Sequence, residues 1–242
     1  MRFVLALLLV LAAPARGLAV PPPDPARFAD EVRAFARADS AGIGEVRPVV
    51  FYGSSSIRMW HDRLAADFAP LPVVGRGFGG STMSEAAYWV DRVVAPLRPW
   101  AVVLYEGDND LEMGRTPNEV LRDFDLLVAK LRTTSPSTHL FVLSIKPSEA
   151  RWAKWPTMQE TNARLAAVCA RNPRRMTYID VTRPLLHDDG RPRPEMYLED
   201  RLHLTSRAYD SWRTILDPIL RDAVLRLPWM PEGFQNPTPF TP

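Results

Sequence analysis

The sequence predicts an α/β fold in which one parallel five-stranded sheet is covered by helices on both faces. Two observations carry this. Five short runs rich in β-branched and aromatic residues recur along the chain, and segments with apolar residues at helical spacing lie between them. Strands that alternate with helices need crossover connections, so they pair in parallel and bury both faces. With 242 residues, 46% of them hydrophobic, the chain can close one full core as a single domain.

Residues 1–19 read as a secretory signal peptide. Met1 and Arg2 precede an unbroken apolar run from Phe3 to Ala13, and Ala13-Pro14-Ala15 or Gly17-Leu18-Ala19 supplies a small-residue cleavage site. The run is shorter than the roughly 20 apolar residues a membrane span needs, so the expectation is a secreted or periplasmic protein with no stable membrane span. Residues 20–47 form a lead-in, proline-rich from Val20 to Pro25 and helical in spacing from Ala26 to Ala38. The main domain is expected over 48–227, followed by a proline-rich tail over 228–242 with Trp229, Phe234 and Phe240.

Within the main domain, strands are predicted at Pro48–Tyr52, Leu71–Val74, Trp100–Tyr105, His139–Ile145 and Met176–Val181. Helices are predicted at Asp62–Phe68, Ser81–Ala95, Thr116–Arg132, Pro156–Arg171 and Ser206–Leu225. Thr116-Pro117 with Glu119 places a cap, a first-turn proline and an N-terminal acid together, and Ser81 precedes Ser84 and Glu85 in a weaker version of the same signal.

Composition excludes several classes of function. The formal charge is +2, from 30 Lys and Arg against 28 Asp and Glu, and the basic residues are scattered, which disfavours nucleic acid as a partner. Cys169 is the only cysteine, so there is no disulfide framework, and its thiol is expected in the core. No histidine or cysteine cluster has metal-ligand spacing, so neither a metal nor another cofactor is expected.

Three unusual clusters fall at three successive strand ends, where open α/β sheets bind ligands. Gly53-Ser54-Ser55-Ser56 follows the first strand, Gly75-Arg76-Gly77-Phe78-Gly79-Gly80 the second, and Gly107-Asp108-Asn109-Asp110 the third. In a sheet of order 2-1-3-4-5 these loops are neighbours. A serine between a strand and a helical turn suits a nucleophile, although alone the cluster reads rather as a polar turn and helix cap. The glycines let backbone N–H groups approach a ligand, and the Asn109 amide can join the N–H groups of Ser55 and Gly80 as an oxyanion donor. Asp108 and Asp110 read as turn formers. A rival reading takes Gly75, Gly77 and Gly80 as a dinucleotide fingerprint with Glu106 as its ribose acid, but it leaves the serines and histidine without a role. Late in the chain, Asp200-Arg201-Leu202-His203 can set a carboxylate against an imidazole. His61, His139 and His187 fall in a helix start, a strand start and an exposed turn.

Together, Gly53-Ser54-Ser55, Gly80, Gly107-Asp108-Asn109-Asp110 and Asp200-x-x-His203 resemble the four ordered blocks of the SGNH (GDSL-like) hydrolases, from about Val49 to Leu220. The strings Phe51 to Trp60 and Gly77 to Gly80 are similar to the branch with platelet-activating-factor acetylhydrolase-type and small-acyl esterases. Ser54 stands where that family usually has aspartate, and counting from Gly53 and from Trp60 both give Ser55 as the nucleophile. The resemblance implies a flavodoxin-like three-layer α/β/α sandwich, Ser55, His203 and Asp200 as catalytic residues, and Ser55, Gly80 and Asn109 as oxyanion donors. It implies a serine esterase acting on small-molecule, polysaccharide or lipid esters, with short acyl chains favoured by the lack of a long lid segment. An acyltransferase with the same triad, or a non-catalytic binding module on the same fold, are the alternatives. Arg58, Lys146, Arg151 and Trp152 lie near strand ends as candidate substrate contacts, surface placement being the ordinary expectation for each.

Overall fold

The computed structural model describes residues 21–40 and 47–225. The signal segment and the C-terminal tail read from the sequence lie outside the described residues. A 3-10 turn, Pro25–Phe28, is capped by the Asp24 carboxylate, which accepts from the Ala26 N–H, and leads into α1 (Ala29–Ser40). Then follow β1 (Val49–Gly53), α2 (Ser55–Asp67), β2 (Val73–Gly77), α3 (Met83–Val93), β3 (Ala101–Tyr105) and the short α4 (Asp108–Glu112). The chain continues through α5 (Pro117–Thr134), β4 (His139–Leu143), α6 (Trp155–Ala170), β5 (Met176–Ile179) and α7 (Ser206–Leu225).

The five strands are parallel, in the order β2-β1-β3-β4-β5, as expected. Side chains alternate across a strand, so each strand feeds two cores. Val50, Tyr52, Val102, Leu104 and Val142 face one layer with α3, α5 and α6, whereas Val49, Phe51, Ala101, Val103 and Phe141 face the other with α2 and α7. The lead-in belongs to the first layer through Phe28, whose ring packs 4.9 Å from Phe78. Among the described residues no helix is long and apolar enough to cross a membrane.

Several boundaries differ from expectation for identifiable reasons. Helix α2 begins at Ser55, seven residues before its predicted start, because serines are weak helix formers and hide the Ile57, Trp60, Leu64 stripe that is buried in the core. Strand β2 runs through Gly75 and Gly77, which the sequence places in a loop. Pairing with β1 imposes the extended backbone, and glycine is required because a Cβ on Gly77 would stand 2.1 Å from the Arg58 nitrogen. That assignment removes the dinucleotide reading, whose first glycine must turn the chain after the strand. Strands β4 and β5 each stop two residues short of their predicted ends, and Thr82 rather than Ser81 caps α3, with Glu85 closing a capping box. The Thr116–Glu119 box opens α5 as expected.

Beyond the strand ends the ladder continues by two further bonds. The Phe78 N–H donates to the Gly53 carbonyl at 2.8 Å, and the Ser54 N–H donates to the Tyr105 carbonyl at 3.1 Å. Gly53, at φ +144°, has no room for a side chain, since a Cβ would stand 2.0 Å from the Tyr105 oxygen. Gly53→Ala and Gly77→Ala should each lower the free energy of unfolding by roughly 2–3 kcal/mol or more, since backbone must move to admit the methyl group. Gly80→Ala, with open space at its Cβ position and φ +76°, should cost about 1 kcal/mol for the left-handed backbone alone. Urea denaturation of the three variants checks this order.

Candidate active site

Ser54 follows β1 in an extended conformation and its carbonyl accepts the N–H groups of Ile57 and Arg58, so the helix starts at once with Ser55 as its first residue. The first N–H groups of a helix have no acceptor within it. As the first residue of α2, Ser55 has an N–H with no acceptor within the helix.

Helix α7 is held on the same face as α2 by aromatic packing. Trp60 lies 4.9 Å from Tyr209 and 6.0 Å from Trp212, and the Tyr209 hydroxyl donates to the Ser56 carbonyl at 2.8 Å. The segment preceding α7 folds into a tight loop closed by an antiparallel bridge between Tyr197 and Leu204, with Arg201 at φ +56°. In this loop the Asp200 carboxylate accepts the Leu202 and His203 backbone N–H groups at 2.9 Å each, and its second oxygen lies 2.6 Å from His203 Nδ1. His203 Nε2 lies 3.0 Å from Ser55 Oγ. With Nδ1–H donating to the carboxylate, Nε2 is left to accept the serine proton. Burial pushes the Asp200 carboxyl up, but the ring, the two N–H groups and the imidazole's charge outweigh it and bring it down to about 2.

The second loop carries Gly80 at φ +76°, and the third carries Asn109 in the first turn of α4, where the sequence reads the flanking Asp108 and Asp110 as turn formers. The Asn109 amide is oriented from both ends. Its nitrogen donates to the Ser81 carbonyl at 2.8 Å, and its oxygen accepts from Arg151 Nη1 at 3.1 Å. The same Arg151 nitrogen donates to Asp108 at 2.7 Å, and Lys146 Nζ donates to the other Asp108 oxygen at 3.1 Å. Burial raises the Asp108 carboxyl, and the two cations more than compensate, leaving it below the ordinary value.

Asp110, on the far side of Asn109, accepts the Met83 N–H at 2.9 Å and Arg115 at 2.8 Å. Burial raises its carboxyl to about 6 against these two partners. The neighbouring Glu106 accepts the Ser81 hydroxyl, and burial holds its carboxyl well above the usual range. Both aspartates flanking Asn109 are thus buried anchors, not solvated turn residues. The clue was available in two acids bracketing an amide at a strand end, but their cations lie elsewhere in the sequence.

The four candidate substrate contacts separate. Arg58 is exposed, with its guanidinium against Gly79. Lys146 is 1% exposed and committed to Asp108, which corrects its expected surface placement. Arg151 is mostly buried and engaged with Asp108 and Asn109. Trp152 is half-buried and stacks on Trp155 at 6.1 Å. Of the other histidines, His61 lies within α2 against Gly75, His139 contacts Thr177 at 2.9 Å, and His187 is exposed.

A hydroxyl, an imidazole and a carboxylate in series are the parts that acyl transfer through a serine requires. The family described as GDSL-like Lipase/Acylhydrolase matches residues 39–210. The chain belongs to this family of hydrolases. Among solved structures, GDSL-type relatives share the fold. A Streptococcus pneumonia protein provisionally assigned as a platelet activating factor is 19% identical, with TM-score 0.68 over 80% of this chain and 93% of that one. A GDSL-like lipase from Bacteroides thetaiotaomicron is 20% identical, with TM-score 0.67 over 79% and 98%. A Bacteroides fragilis protein provisionally assigned as an acylhydrolase is 20% identical, with TM-score 0.64 over 81% and 95%. At these identities the likeness is one of fold. Comparison with curated proteins returns no match. The GDSL family assignment puts this chain among enzymes that act on esters.

The buried charges behind Asn109 carry a stability consequence. Lys146→Met leaves Asp108 buried with one cation fewer and should cost about 2–3 kcal/mol. Adding Asp108→Asn should recover part of that loss, measured by urea denaturation of the single and double variants.

Proposed function

We propose that this chain is a serine esterase in which Ser55 attacks the ester carbonyl, His203 takes the hydroxyl proton, and Asp200 orients the imidazole and stabilises its cation. The observation that carries the reading is the continuous line from Asp200 through both ring nitrogens to the Ser55 hydroxyl, at 2.6 and 3.0 Å. Attack breaks the carbonyl π bond and places negative charge on its oxygen. The N–H groups of Ser55 and Gly80 and the free N–H of the Asn109 amide are the proposed donors to that oxygen. Collapse expels the alcohol, protonated by His203, and leaves an acyl-serine. Water, deprotonated by the same imidazole, then releases the acid.

The proposed substrates are short-chain acyl esters, acetyl esters foremost. Arg58 beside Gly79 and Arg151 beside Asn109 give the approach a polar character, which supports a small acyl group rather than a long apolar chain. The proposal includes export, carried by the apolar run from Phe3 to Ala13 ahead of two small-residue sites. N-terminal sequencing of protein recovered from medium or periplasm should begin at Arg16 or Val20; an intact Met1 in that fraction would reject cleavage. Residues 48–227 are proposed as the catalytic domain.

Ser55→Ala should abolish both p-nitrophenyl acetate hydrolysis and covalent labelling by a fluorophosphonate, and persistence of both rejects the assignment. Asn109→Ala should lower kcat by roughly a hundredfold if its amide serves as an oxyanion donor. Asp200, held down to about 2, stays ionised through mildly acidic solution and keeps its hold on the imidazole there. His203 can take the serine proton only at an unprotonated Nε2, so kcat/KM should fall in acid. A pH profile of kcat/KM with no acid limb would reject His203 as the base.

A further inference from the structure

We propose that Arg27, from the lead-in ahead of the family-matched region, is a positioning residue that clamps the Gly80 loop in its donor geometry. The inference rests on the proposed role of the Gly80 N–H and extends the site to a segment that the family match, beginning at residue 39, does not include.

Gly80 is the least self-restrained member of the site. It has no side chain, its φ is +76°, and beyond its two chain neighbours nothing lies within 4 Å of the position a Cβ would take. Glycine reaches many backbone conformations at little cost, so neighbouring hydrogen bonds must select one. Arg27 Nη2 donates to the Gly80 carbonyl at 2.9 Å. The next carbonyl, of Ser81, is held by Asn109 at 2.8 Å. Two consecutive carbonyls are thus gripped from separate parts of the chain, one by the lead-in and one by α4. The loop's other end is tied by the Phe78 N–H on the Gly53 carbonyl.

Arg27 is itself held in place. Its Nε and Nη2 contact the two Glu85 oxygens at 2.5 and 2.8 Å, and buried Glu85 also accepts the Thr82 N–H at 3.0 Å at the start of α3. The guanidinium therefore spans from Gly80 to the first turn of α3, bracing the segment between them. Phe28 and Phe35 seat the lead-in on Phe78, at 4.9 and 5.6 Å, and Trp89 Nε1 donates to the Pro25 carbonyl at 2.9 Å. Neutralising Glu85 needs only a cation. Holding Glu85 and the Gly80 carbonyl together needs the fixed fork of a guanidinium, which an ammonium does not supply.

The test compares kcat and KM for p-nitrophenyl acetate in Arg27→Ala, Arg27→Lys, Arg33→Met in the following helix α1, and Ser55→Ala. Arg27→Ala should lose roughly tenfold in kcat, as expected for a misplaced rather than a deleted donor, with KM within about twofold. Millimolar ethylguanidinium should restore part of that kcat, and Arg33→Met should match the parent. If Arg27→Ala fails to fold, Arg27→Lys decides: it should lose severalfold in kcat at an unchanged unfolding midpoint. Parental kcat in a folded Arg27 variant overturns the clamp. So does a loss that follows the folded fraction and is not restored by ethylguanidinium. Activity surviving in Ser55→Ala would instead reject the catalytic reading on which the clamp rests. An inert Ser55→Ala beside a fully active Arg27→Ala rejects the clamp alone.

Discussion

The arrangement depends on the register of three adjacent parallel strands. Gly53 stands opposite Gly77 on one side and Tyr105 on the other, so β1, β2 and β3 end level. The two bonds past the ends, Phe78 to Gly53 and Ser54 to Tyr105, carry that alignment into the loops. A parallel ladder displaced on one strand would move its loop by a residue and turn its side chains to the opposite face. The close approaches at Gly53 and Gly77 leave no space for such a shift, which makes these glycines part of the register as much as of the turn.

Once the loops are level, their side chains still need orientation, and charge buried below the surface provides it. Asp108 and Asp110 point away from Asn109 to opposite anchors, Lys146 and Arg151 on one side, Arg115 and the α3 N-terminus on the other. Each carboxylate would be costly to bury alone, and each is paired. Arg151 adds a bond to the amide oxygen, so the nitrogen of Asn109 has one direction to face. The amide is set by groups that themselves need not touch a substrate.

The imidazole arrives by a different route. Trp60, Tyr209 and Trp212 press α7 against α2, and the loop ahead of α7 inherits its place from that contact. Within the loop the geometry is local: Asp200 accepts two backbone N–H groups and the ring from within three residues. A long-range apolar contact thus delivers a short-range polar pair to Ser55.

The amino-acid sequence by itself determined the parallel α/β architecture and the residues gathered at the strand ends, because hydrophobic periodicity and turn chemistry are local properties, and its resemblance to a known family supplied the strand order. It also contained the Asp200–His203 pair, since three residues suffice to make that contact. Tertiary structure alone decided that α2 starts at Ser55, that Gly75 and Gly77 are strand, and that Lys146 lies buried. Pairing and packing there override the local preferences of serine, glycine and lysine. It alone decided the partners of Arg27, Asp108 and Asp110 as well, because the groups that meet there come mostly from distant segments, and no local pattern encodes such a meeting.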